Sequence, residues 1–150
     1  MTAHGATDDE AAVRAANTAL YDAFETGDID LMTSVWLDES AGETATCVHP
    51  GWAPLHGTTQ VLRSWSMIMA NTSYIQFVLT DVSVSVSGDT AVVTCGENML
   101  TGLPSSVADP TPGLAGGRAV ATNVFRRTTT GWRLWVHHAS PVLTSEESGA

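Results

Sequence analysis

Residues 82–89 read Val-Ser-Val-Ser-Val-Ser-Gly-Asp, and this stretch decides the fold. Its apolar and polar residues alternate with a period of two, which predicts a strand with one buried and one exposed face. Ser87-Gly88-Asp89 predicts a turn into a second strand, at about residues 90–100. Two more strands are predicted at residues 118–128 and 132–141. We therefore expect four long antiparallel strands in the second half of the chain.

The first half of the chain has helical signals instead. A capping box that begins at Thr7 predicts the start of a first helix, and Gly27 predicts its end. Asp28 and Thr58 are the predicted N-caps of a second and a third helix, with a short strand at residues 44–49 between them. Helices followed by long antiparallel strands indicate an α+β fold, a curved sheet with its helices on one face.

The chain is expected to form a single domain over residues 1–150, with residues 1–7 and 144–150 as tails. Residues 102–117 hold three prolines and four glycines, which predicts a mobile loop. The length of the chain suits one domain and not two.

The charge balance excludes several classes of function. The chain has 6 basic and 16 acidic residues, a formal charge of −10, and all six basic residues are arginines. The absence of lysine excludes Schiff-base chemistry and a P-loop, and the acidic balance argues against binding to nucleic acid. No apolar run approaches the ~20 residues of a membrane span, and the N-terminus lacks the blocks of a signal peptide. We therefore expect a cytoplasmic protein in which Cys47 and Cys95 are buried free thiols.

The order of these elements resembles the NTF2-like superfamily, in particular its SnoaL-like and ketosteroid-isomerase-like members. The stretches that carry the resemblance are 21–30 (YDAFETGDID), 44–52 (TATCVHPGW), 57–65 (GTTQVLRSW) and 131–140 (GWRLWVHHAS). The resemblance implies a cone, in which a curved and mainly antiparallel sheet wraps around three N-terminal helices and leaves a hydrophobic pocket. It specifies the fold and leaves the activity open, since this fold carries isomerases, cyclases, dehydratases and non-enzymatic modules.

His49 is the first candidate for chemistry. In isomerases of the superfamily, a carboxylate base ends the short strand after the second helix, just before a proline, and His49-Pro50 matches that position here. Imidazole titrates near neutrality, so it can take or give a proton in place of the carboxylate. The alternative is a structural histidine beneath the Pro50-Gly51 turn.

Three further polar residues lie inside predicted strands, and we assign them with His49 to a catalytic set. Glu97 is a carboxylate in mid-strand, facing either water or a pocket. Asn123 shares its strand face with apolar neighbours and can hydrogen-bond a ligand oxygen, or else serve as a structural amide. Of the adjacent pair His137-His138, strand alternation predicts that one points inward, and we place His138 inside and His137 outside.

Four residues are predicted to line the pocket and contact substrate: Tyr21, Cys47, Trp52 and Trp65. Trp52 lies in a loop beside His49, and Cys47 shares the parity of His49 on its strand. Tyr21 falls one residue from the position of the oxyanion-holding tyrosine of the isomerases. No metal site is predicted, because the His and Glu residues lack ligand spacing.

These residues favour a cofactor-independent enzyme that uses acid–base chemistry of the isomerase, cyclase or dehydratase type. Its partner would be a small apolar molecule with a carbonyl group. The alternative is a non-catalytic ligand-binding or assembly module of the same fold. Residues 120–125 are apolar on both faces of their strand, which predicts a homodimer through the outer face of the sheet.

Overall fold

The computed structural model describes residues 3–103 and 113–143. It contains helices α1 (Ala3–Thr26), α2 (Ile29–Val35) and α3 (Thr58–Ala70), and strands β1 (Thr46–Val48), β2 (Leu55–His56), β3 (Ile75–Ser87), β4 (Thr90–Leu103), β5 (Gly113–Thr128) and β6 (Gly131–Pro141). The strands form one sheet in the order β2-β1-β6-β5-β4-β3. All neighbours are antiparallel except β1 and β6, which run parallel, so the sheet is mixed. The predicted α+β class is confirmed.

The helix boundaries depart from the predictions at two caps. Helix α1 begins before Thr7, and α3 has Gly57 as its N-cap while Thr58 is already helical. The Thr58 hydroxyl is buried and donates to the carbonyl oxygen of Leu37, so it ties the α2–β1 connection to α3. Asp28 does cap α2, as predicted, because its carboxylate accepts from the backbone N–H of Leu31 at 3.0 Å. No helix within the described ranges is long and apolar enough to cross a membrane.

Strands β4 and β5 extend further than the sequence predicts. Gly102 pairs with Leu114, and Gly117 pairs with Met99, so most of the glycine-rich stretch belongs to the ladder. Glycine keeps both backbone hydrogen-bonding groups, and ladder pairing uses only those. The rest of the stretch for which a mobile loop was predicted, residues 104–112, lies outside the described residues, as does the C-terminal tail.

A bulge in β6 reverses the predicted orientation of the two adjacent histidines. Val124 of β5 pairs with Val136, but Phe125 pairs with Leu134, so Trp135 is an extra residue in the ladder. Beyond a one-residue bulge, each side chain moves to the opposite face. His137 is therefore buried, with 3% exposure, while His138 is exposed on the outer face. The placement of His138 inside and His137 outside was wrong.

The core lies between the helices and the inner face of the sheet. Its largest fully buried side chains are Leu20, Met32, Trp36, Leu37, Phe125 and Leu134. Seven polar or charged residues are buried with them: Asn17, His49, Thr58, Ser64, Glu97, Asn123 and His137. Burial of polar groups on this scale requires that they satisfy one another or a ligand.

Candidate functional site

The inner face of the sheet brings together seven of the eight residues that the sequence singled out. Tyr21, Glu97 and Asn123 form one hydrogen-bonded group, and Cys47, His49, Trp52 and Trp65 form a second group of contacts. His137 joins the two groups, because it contacts Asn123 through one nitrogen and lies 5.8 Å from Trp65 between ring centroids. His138 is the residue that the structure separates from them.

The first group is a chain of hydrogen bonds with a fixed direction. The side-chain N–H groups of Asn123 donate to Asn17 Oδ1 at 2.8 Å and to the Tyr21 hydroxyl at 3.2 Å. The Tyr21 hydroxyl in turn donates to Glu97 Oε2 at 2.6 Å. Both N–H groups of Asn123 are thereby used. Asn123 therefore orients its neighbours, and it has no N–H left to donate to the ligand oxygen that the sequence predicted as its partner.

The same amide fixes the tautomer of His137. Asn123 Oδ1 can only accept, and it lies 2.5 Å from His137 Nδ1, so the ring proton of neutral His137 is on Nδ1. The lone pair is then on Nε2. Within residues 7–102 and 115–143, no side chain or backbone group hydrogen-bonds this nitrogen. His137 consequently offers a base to the interior.

His49 is held in the complementary tautomer. Ser64 Oγ donates to the carbonyl oxygen of Val61 at 2.6 Å, so it accepts at 3.0 Å from the Nε2–H of His49. Nδ1 of His49 carries the lone pair, 3.8 Å from Cys47 Sγ. Ser64 thus holds one ring nitrogen of His49, and Cys47 lies on the same face as His49, as their strand parity predicted.

Burial shifts the pKa of each titratable group of the site toward its uncharged form. It lowers the pKa of His49 to about 4 and that of His137 to about 3, the latter also through the nearby His49 and His138. Burial raises the pKa of Glu97 above its usual value, against the opposing effect of the hydrogen bond from Tyr21. Burial also raises the pKa of the Cys47 thiol and of the Tyr21 hydroxyl. The site thus combines a carboxyl group that favours its protonated form with two neutral imidazoles.

Aromatic rings form the walls around these groups. The ring of Trp65 stands edge-on to His49, with 4.7 Å between centroids, and Trp52 contacts the same imidazole at 4.9 Å. On the other side, Phe77 stands edge-on to Tyr21 at 5.1 Å. A ligand in this interior would therefore contact mainly apolar surface.

A depression of about 300 Å³ lies next to the residues that contact His49. It is lined by Trp52, Leu55, Gln60, Arg63, Ser64 and Met67. Ser64 is the hydrogen-bond partner of His49, and Trp52 covers the same imidazole, so the floor of the depression adjoins the site. Two other concavities lie on the exposed side of the sheet. One of about 930 Å³ is lined by Val78, and one of about 460 Å³ is lined by Val120.

Sequence reasoning missed three members of the site. Asn17 had a signal, because it falls at the helical spacing of the buried stripe of α1, four residues from Val13 and from Tyr21. Ser64 lies on α3, and no comparable pattern marks it in the sequence. It belongs to the site because His49, which directly follows β1, hydrogen-bonds it. His137 was placed on the wrong face because the bulge at Trp135 has no sequence marker.

Comparison with known proteins identifies what this arrangement is similar to. The family of SnoaL-like domains matches residues 13–144. A structure from Streptomyces avermitilis, named as a candidate dehydratase of the NTF2-like family, is 53% identical, with a TM-score of 0.84 over 92% of this chain and 99% of that one. No curated protein sequence matches the chain.

Two further structures mark the range of relatives. A candidate association domain of calcium/calmodulin-dependent protein kinase type II from Thiobacillus denitrificans is 30% identical, with a TM-score of 0.70 over 87% of this chain and 94% of that one. An NTF2-like superfamily protein from Salmonella enterica is 16% identical, with a TM-score of 0.74 over 93% and 95% of the two chains. The latter likeness is one of fold, and it supports the cone architecture expected from the sequence.

Proposed function

The chain belongs to the SnoaL-like domain family, and for this member we propose that the buried site dehydrates a small, apolar, uncharged hydroxy-carbonyl compound by acid–base catalysis. The observation that carries the proposal is the directed hydrogen-bond chain from His137 through Asn123 and Tyr21 to Glu97. It supports a base at one end and a carboxyl group at the other. The 53% identical relative named as a candidate dehydratase supports the choice of reaction.

In the proposed reaction, Nε2 of His137 removes the proton from the carbon next to the carbonyl group. Glu97 donates its proton to the departing hydroxyl group, which leaves as water. A raised carboxyl pKa favours this role, because the acid must hold its proton near neutral pH. Loss of water involves no change of oxidation state, so the proposal names no cofactor and no metal.

His49 is the alternative base, as the sequence analysis proposed. Its Nδ1 carries the lone pair and contacts Cys47 Sγ at 3.8 Å, and Trp52 and Trp65 contact its ring. The two imidazole centroids are 6.5 Å apart, so protonation of one disfavours protonation of the other. In our proposal His49 lowers the pKa of His137 and so helps to keep it neutral. His49 also forms the wall nearest to the depression.

The experiment compares two conservative variants on a panel of β-hydroxy ketones, with loss of one water followed by mass spectrometry. Glu97→Gln keeps the shape and an acceptor for Tyr21 but removes the acid, and we expect a loss of turnover of about 10²-fold or more. His137→Gln and His49→Gln identify the base, which is the residue whose replacement causes the larger loss. Turnover by Glu97→Gln at the wild-type rate would refute the mechanism.

A second candidate function is that of an assembly module, and the outer face of the sheet favours it. Val78, Leu100 and Val120 are exposed by 60%, 42% and 50% there, and the chain is similar to an association domain. We propose that this face forms the predicted homodimer. Sedimentation equilibrium should give a dimer for the wild type and a monomer for Val120→Glu. A wild-type monomer at high micromolar concentration contradicts the proposal.

The two cysteines bear on the compartment. Cys47 and Cys95 are both buried free thiols, which is the state that a reducing compartment maintains. A cytoplasmic location is therefore our proposal for this domain.

A further inference from the structure

The indole N–H of Trp65 has no hydrogen-bond partner, although the side chain is buried. Trp65 is 3% exposed, and its Nε1 is one of two buried side-chain polar atoms without a partner in the described part of the chain. Indole nitrogen is a donor only, so it requires an acceptor oxygen or nitrogen. A buried donor left unpaired is costly, and such groups are few in native proteins. An acceptor brought by a ligand would remove that cost.

Trp65 belongs to the candidate site and not to the part of the core away from it. Its ring contacts the imidazoles of His49 and His137, and it contacts Phe24 on a further side. The other unpaired indole belongs to Trp36, which is fully buried and makes no ring contact with either histidine. Of the buried indoles in the described residues, two therefore lack a partner, one inside the site and one outside it.

The groups around Trp65 restrict what the acceptor can be. Near neutral pH burial keeps the imidazoles of His49 and His137 neutral, so neither supplies a positive charge to the cluster. None of the arginines belongs to the cluster of hydrogen bonds and ring contacts described above. Burying a charged oxygen without a cation nearby is strongly unfavourable. The acceptor should therefore be a neutral oxygen on an apolar body.

We propose that the Trp65 indole N–H binds the carbonyl oxygen of the substrate, and so selects an uncharged ketone over a carboxylate. This proposal rests on the proposed function, since it names the substrate group that the same site recognises. In the proposed reaction, Glu97 protonates the hydroxyl group of such a substrate. The imidazole of His137 removes the proton from its acidic carbon. Trp65 is thus a binding residue for the oxygen on which negative charge develops during proton removal.

The experiment uses three probes of similar size: acetophenone with a carbonyl group, ethylbenzene without one, and benzoate with a charge. Binding to the intact protein is measured by titration calorimetry for the wild type, Trp65→Phe and Trp36→Phe. We expect Trp65→Phe to bind acetophenone about 3- to 10-fold more weakly, the loss of one hydrogen bond, and ethylbenzene as the wild type does. Trp36→Phe should bind both as the wild type does, and benzoate should bind none of the proteins.

A second measurement covers the case in which Trp65→Phe fails to fold. In wild-type protein labelled with ¹⁵N at its five indoles, acetophenone should shift one indole proton strongly downfield, and ethylbenzene should not.

Three results overturn the inference: equal loss of acetophenone and ethylbenzene affinity in Trp65→Phe, no loss for either, or no binding of acetophenone to the wild type. These results are independent of catalysis, because acetophenone carries no hydroxyl group to eliminate. Failure of the dehydration proposal appears instead as an active Glu97→Gln, so the two failures are distinguishable.

Discussion

Mild acid should destabilise this domain through His49 and His137. Both side chains are neutral and buried in the native state, with pKa values of about 4 and about 3, whereas an unfolded histidine has a pKa of 6.5. Between these values the unfolded chain binds more protons than the native one. Stability therefore falls as the pH falls through 6.5, and the loss continues until the native-state pKa is reached.

The size of the effect follows from those pKa values. Between about pH 7.5 and about pH 5, each of the two histidines removes about 2 kcal/mol from the free energy of unfolding. The figure hardly depends on the native-state values, because both lie below the lower pH. Together they remove about 4 kcal/mol, a large part of the 5–15 kcal/mol that is typical of a domain. Glu97 acts in the opposite direction, because its raised pKa makes the native state bind a proton first as the pH falls.

Urea unfolding at the two pH values measures the loss of unfolding free energy. The loss is compared between variants, so that the contributions of Glu97 and of the surface carboxylates cancel. His137→Gln keeps an N–H for Asn123 but does not titrate, and it should lose about 2 kcal/mol less than the wild type over this pH range. His138→Gln is the matched control, since its side chain is exposed one residue away, and it should follow the wild type. An equal loss for the wild type and His137→Gln would refute the burial of a neutral imidazole at position 137.

Two further predictions concern packing. Cys47 and Cys95 are buried, and their thiol pKa values are raised. The native protein should therefore react with a thiol reagent at mildly alkaline pH far more slowly than the urea-unfolded protein. Comparable rates would contradict the burial of the two thiols. A Cβ at Gly42 would overlap the Thr58 hydroxyl and lie 2.7 Å from a backbone oxygen of residue 38, so Gly42→Ala should lower the free energy of unfolding by about 1–3 kcal/mol. Gly116→Ala is its control in the same urea titration, because no atom there comes closer than 4.0 Å, and equal losses in the two variants would count against the steric account.

Periodicity predicted the fold because each long element keeps one face buried along most of its length. The alternation at residues 82–86 appears as half-buried valines between exposed serines, and Gly27 adopts a positive φ of 66° where the first helix ends. The strand end at residue 100 was wrong for a different reason. Glycine content indicates a loop only when no neighbouring strand offers pairing, and the partner of Gly116 and Gly117 is distant in sequence.

The site was predictable in its residue types and less so in its geometry. Glu97 and Asn123 were found because a polar residue inside an apolar strand face needs partners, and the structure supplies them in Tyr21 and Asn17. The choice between His137 and His138 depended on counting residues along an unbroken ladder. One extra residue at Trp135 changes that count, and the indole N–H of that residue donates to Thr44 Oγ1.

The proposed reaction moves two protons within a buried site. When His137 takes a proton and Glu97 gives one up, each turnover leaves an imidazolium and a carboxylate in a buried interior. Their mutual attraction is strong at low dielectric and partly offsets the cost of burying both charges. The catalyst is restored only when a proton passes from His137 Nε2 back to Glu97, and an amide such as Asn123 holds position without relaying protons. The water released from the substrate can accept and donate in one step, so it is the species that returns the proton before it leaves.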